Sequence, residues 1–149
     1  MGYKHKKILV WGNIEELNKL ILEKLLPLIP KTNYKLRDQI DRANSSIGAN
    51  FIEGYYSGST KEYIKFLGYS RRSLAEMEFW IDHCRMKRFF PENLFLTAKD
   101  LTIRTCYLMD RLTQSLIKKT SSSFPSIPSS PSCSSSASSS PSSSNNLSF

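Results

Sequence analysis

Apolar side chains return along this chain at alternating spacings of four and three residues, the rhythm that gives a helix a single buried seam. One series is Leu36, Ile40, Ala43, Ile47, Asn50 and Gly54; after a short polar break it resumes as Tyr63, Leu67, Ser70, Leu74, Met77, Ile81 and Cys84. A third series of Leu94, Ala98, Leu101, Thr105, Leu108 and Leu112 follows Pro91 and fades after Leu116. Upstream, Ile14, Leu17, Leu20, Ile21, Leu25 and Leu28 form another stripe. The pattern predicts four helices.

Local signals place their ends. Asn13 is a candidate N-cap with Glu16 as its capping-box partner, Pro27 bends or ends the first helix, and Pro30 ends it. The second helix is expected from Thr32 or Asn33 to about Tyr56, where Ser57, Gly58 and Ser59 mark a turn. Ser59 and Glu62 make a second capping box that opens the third helix, and Pro91 suits the first turn of the fourth. Short connections between such helices favour antiparallel neighbours, so the predicted fold is all-α, an up-down-up-down four-helix bundle.

The middle of the chain also carries ordered motifs: AlaAsnPheIleGluGly from Ala49 to Gly54, Ser59 followed by GluTyrIleLysPheLeu from Glu62 to Leu67, and SerLeuAlaGluMetGlu from Ser73 to Glu78. In these it resembles the 23S rRNA-intervening-sequence proteins, a four-helix-bundle family. Gly48 stands where many relatives have Pro, and Ser57 and Gly58 replace a common basic pair. The resemblance implies a homo-oligomer, in known relatives a ring of five. The family name refers to open reading frames within ribosomal RNA genes and does not itself establish an activity. More distantly, the bundle is similar to accessory proteins of diversity-generating retroelements, which implies nucleic acid and a reverse transcriptase as alternative partners.

Composition narrows the function. From Thr120 onward there is no Lys, Arg, Asp or Glu, only Ser-rich sequence broken by Pro125, Pro128, Pro131 and Pro141. Such a stretch buries too little apolar surface to offset its ordering entropy. The expected organisation is a basic arm at 1–12, a bundle at 13–119 and a disordered tail at 120–149. The net charge of +8 therefore belongs to the part before the tail. RNA, DNA or an acidic protein face become plausible partners.

Other chemistries find little support. Cys84, Cys106 and Cys133 are odd in number and lack a CxxC pair, which argues against a disulfide framework or zinc site and for a reducing compartment. His83 lies beside Cys84 without further ligands, and no cofactor or metal motif is present. No phosphate loop, HExxH or nucleophile with its base occurs, so no catalytic residue is assigned. The apolar run at Ile8 to Trp11 is too short for a leader, and nothing spans a membrane. A cytoplasmic protein that is not an enzyme is expected.

Three groups of residues remain as candidates. Lys61, Lys65, Arg71, Arg72, Arg85, Lys87, Arg88, Lys118 and Lys119 are candidate phosphate contacts, with Tyr55, Tyr56 and Tyr69 available for stacking on bases. Phe66, Ser73 and Trp80, seven residues apart, together with Tyr69, form a stripe beside the third seam and a candidate oligomer interface. Asn50, Glu53 and Gly54 are the polar or small members of the second seam, with structural roles: Asn50 as a register-setting group, Glu53 as a partner for Arg72, Arg42 or another protein's cation, and Gly54 as a close-approach point or helix end.

Overall fold

Four α-helices account for most of the residues described by the computed structural model, 4–123: α1 at Leu9–Leu20, α2 at Tyr34–Tyr56, α3 at Thr60–Met86 and α4 at Glu92–Ser122. Each packs on the next, and α4 closes the ring against α1. Directions alternate, as predicted. Their shared core is made largely of the seam residues, with Leu17, Ile21, Ile47, Leu67, Leu74 and Met77 almost wholly withdrawn from solvent; on α4 Met109 is fully buried while Leu108 and Leu112 of the expected seam are only half-buried.

The first helix departs most from expectation. It begins at Leu9, after Ile8, so Asn13 is not a cap; it is a buried residue whose side-chain amide donates to the Leu9 carbonyl. The reason is burial of Val10 and half-burial of Trp11, which extend the apolar stripe backwards through Gly12. The arm before it is also structured. Lys4–Lys7 form a short 3-10 turn with His5 buried.

Pro27 has the effect expected of a residue that lacks an N–H and crowds the preceding turn. Ile21–Leu25 widen into a π turn and Leu26–Leu28 tighten into a 3-10 turn. Helix α2 braces this segment: Arg37 Nη1 donates to Leu26 O and Ile29 O at 2.9 Å, with Leu26 O also accepting from the Ile29 N–H at 3.2 Å. Leu28, expected in the stripe, is exposed, and Ile29 is buried instead.

The turn between α2 and α3 follows its chemistry more closely. Gly58 takes φ +75°, a left-handed conformation natural for glycine. Ser59 Oγ accepts from the Glu62 backbone N–H at 3.4 Å, but the reciprocal half of the capping box is absent among the described residues, since Glu62 pairs with Lys65. At the far end of α3, Phe89 N–H donates to Cys84 O and Arg88 N–H to Arg85 O, closing a Schellman cap with Arg88 at φ +56°. Helix α4 starts just after Pro91 and runs to Ser122, past the expected boundary at Lys119. The disorder expected further on, and Cys133 with it, lie outside the described residues.

Candidate nucleic-acid interface

The ion pairs between α3 and α4 set the register that decides where the cations go. Arg71 meets Asp110 at 3.2 Å, Lys99 meets Glu78 and Asp82 at 2.8 Å, and Arg85 meets Glu92 at 2.8 Å. Carried towards the α2–α3 turn, this antiparallel register brings Lys61 level with Lys118 and Lys119. Helix α1 starts at the same end, because His5 and Tyr56 share a hydrogen bond of 2.9 Å. Lys4, Lys6 and Lys7, all exposed, therefore join Lys61, Lys118 and Lys119 around the turn end of the bundle.

The nine candidate phosphate contacts are thus divided by the fold. Lys61, Lys118 and Lys119 lie at the turn end, while Arg85, Lys87 and Arg88 lie at the opposite one. Lys65, Arg71 and Arg85 are held in ion pairs within the chain, and Arg72 lies over the Tyr69 ring at 5.2 Å. Arg85 also covers the Phe95 ring at 4.4 Å. Such exposed pairs contribute little to stability, but each one must be exchanged before its cation meets a phosphate.

The basic turn end surrounds a contiguous set of aromatic rings. His5 stands edge-on to Trp11 at 4.9 Å and contacts Tyr55 and Tyr56 at 6.0 and 5.6 Å. Tyr55 meets Tyr56 at 5.0 Å and Tyr63 at 5.9 Å, and Phe51 links Trp11 to Tyr63 at 5.6 and 6.0 Å. A cavity of about 180 Å³ opens here, lined by Gly54, Tyr55, Gly58, Ser59, Thr60 and Tyr63. Two buried donors in the cluster, Trp11 Nε1 and the Tyr63 hydroxyl, have no hydrogen-bond partner. Each such orphan costs about 1–3 kcal/mol. Burial, reinforced by Tyr55, pushes the Tyr63 phenol up to about 12.

The structural residues resolve differently. Gly54 is a close-approach glycine within α2, not a helix end: a Cβ there would come within 2.7 Å of Phe66 Cβ. Asn50 donates to Ser46 O at 2.8 Å and to Ser46 Oγ, which in turn shares a 2.9 Å hydrogen bond with Ser73 Oγ. Ser73 is consequently buried between α2 and α3 and cannot line an outer surface. Glu53 is exposed and forms no ion pair with Arg72 or Arg42; Arg42 pairs with Asp38 instead.

The proposed oligomer stripe turns sideways for the same reason. Phe66, Tyr69 and Trp80 are half-buried, with Phe66 set against Gly54 and Trp80 Nε1 donating to Glu76. On the last two helices the large apolar side chains left in solvent are Phe79 and Met86 of α3 and Leu96, Ile103, Tyr107 and Ile117 of α4. Sequence periodicity missed the α4 strip because it flanks, rather than continues, the buried seam. Nothing local in the basic arm shows that it folds back to bring Lys4, Lys7 and His5 to the turn end of the bundle.

Residues 6–111 match the sequence model of the 23S rRNA-intervening sequence proteins. The chain belongs to that family. A solved structure, that of a protein of unknown function of the S23 ribosomal protein family from Bacteroides thetaiotaomicron, is 19% identical and superimposes with a TM-score of 0.66, covering 71% of this chain and 96% of its own. At that identity the likeness concerns the fold. No curated protein matches the chain. Among the described residues of this family member, no group of His, Cys, Asp and Glu is arranged to hold a metal, and no helix is long and apolar enough to cross a membrane.

Proposed function

We propose that this family member is a non-enzymatic, self-associating module that binds nucleic acid, with RNA as its natural ligand class. The observation that carries the reading is the gathering of Lys4, Lys7, Lys61, Lys118 and Lys119 at one end of the bundle, where Glu62 is already paired with Lys65. A cluster of exposed ammonium groups attracts phosphates by releasing their condensed counterions. Repetition of that end in a homo-oligomer, such as the ring of five the family resemblance implies, would multiply weak contacts through effective concentration.

Self-association has its own support in the strip of Leu96, Ile103 and Tyr107, each more than half exposed on α4. Spacings of seven and four keep these side chains on one face of the helix. Sedimentation showing monomer alone at micromolar concentration would remove this part of the reading.

Filter binding of RNA across a salt series tests the rest. Retention falls steeply with salt, and reversing Lys61, Lys118 and Lys119 to Glu lowers the slope of log affinity against log salt by about 2 to 3. Reversal of Arg85, Lys87 and Arg88 has a much smaller effect. A protein scaffold serving a reverse transcriptase predicts little retention at any salt, and that result would replace the present reading.

A further inference from the structure

The turn end offers more than charge. A surface built only to hold a phosphate backbone needs cations, whereas here Lys61 follows directly on Thr60 of a cavity wall, and Lys4 and Lys7 belong to the short turn whose His5 contacts Tyr55 and Tyr56. The cavity walls include Tyr55 and Tyr63, and Tyr56 beside it leaves 56% of its surface in solvent. The site is an open depression of about 180 Å³, with Gly54, Gly58, Ser59 and Thr60 as the rest of its lining, and is of a size to admit a single planar ring. Surrounding lysines disfavour a cationic ligand and favour an anionic one.

We propose that this cavity receives a nucleobase of a single-stranded nucleic acid, stacked on Tyr55 or Tyr56, while Lys4, Lys7 and Lys61 contact the adjoining phosphates. The inference rests on the nucleic-acid reading above and adds to it a preference for unpaired bases. Base stacking on an aromatic side chain is tolerant of sequence, because every base presents a π-face. A duplex keeps its bases stacked on one another and cannot offer one without opening. The site therefore discriminates strand state more than sequence.

The test uses the full chain with Trp80→Phe, so that Trp11 is the sole tryptophan emitter. Single-stranded oligouridylate and oligothymidylate, and a blunt RNA duplex of equal phosphate number, are titrated at low salt. The single strands are expected to change Trp11 emission and to bind at least about tenfold more tightly than the duplex. Tyr55→Ala and Tyr56→Ala each weaken single-strand binding by about fivefold to a hundredfold and leave duplex binding unaltered. If Tyr55→Ala fails to fold, the exposed Tyr56 decides the matter. Equal binding of single strand and duplex, with both tyrosine variants unaffected, overturns the base site and leaves the nucleic-acid reading standing. Failure of every nucleic acid to bind overturns both.

Discussion

Gly54 of α2 and Phe66 of α3 are in contact with no room between them: a Cβ on Gly54 would lie 2.7 Å from Phe66 Cβ and 3.3 Å from the Tyr63 carbonyl oxygen. The nearest obstructing atom is the first carbon of a side chain, which no rotamer change moves, and the Tyr63 ring stands 3.0 Å away beside it. Gly54→Ala should destabilise the bundle by about 1–2 kcal/mol, the overpacking cost outweighing the gain in helix propensity. Gly48→Ala provides the opposite sign. Its nearest neighbours are at 3.7 Å or more, and the variant should gain about 0.5–1 kcal/mol. Urea midpoints for the two variants check both statements.

Arg37 of α2 holds two carbonyls of the segment that follows Pro27, Leu26 O and Ile29 O. Arg37→Ala removes a charged donor from partly buried acceptors and should cost about 2 kcal/mol. Arg37→Lys should recover part of this loss, because both bonds leave one nitrogen, Nη1, and an ammonium also carries more than one proton, though on a side chain of different length and shape. Chemical denaturation of the two variants separates charge from geometry.

Arg88 occupies a left-handed position, φ +56°, where a side chain is disfavoured and glycine is natural. Arg88→Gly should therefore raise stability by about 0.5–1 kcal/mol. Because Arg88 stands at the end of the bundle away from Lys61, the same change should leave RNA affinity within a factor of about two at moderate salt. Loss of binding in this variant would move the interface to the α3–α4 loop.

Burial pushes the Cys84 thiol up to about 11, above its ordinary 9.0, and Tyr63 up to about 12 from 10.0. Both groups are easier to ionise when unfolded. Their contribution to stability is complete below pH 9 and declines as pH rises through the window from 9 to 12. Denaturation midpoints should fall over that range, and Cys84→Ala should flatten the first part of the fall. In the folded protein Cys84 should resist maleimide at pH 8, with reaction following global opening.

Periodicity alone determined the four helices, because burial of one face per helix requires apolar residues every three or four positions, and the chain supplies them from Ile14 to Leu112. Short turns then left an antiparallel bundle as the economical closure. Local chemistry also identified Ser59 as a cap and Gly58 as a turn residue, since both effects act within a few residues. Tertiary structure decided what local signals cannot carry. Whether Asn13 caps a helix or lies inside one depends on burial of Val10 and Trp11 against distant helices. Whether Ser73 faces outward depends on Ser46, contributed by another helix. The parting of Lys61 from Arg88, and the meeting of the N-terminal lysines with Lys118 and Lys119, follow from helix direction and register, which exist only once the chain has closed on itself.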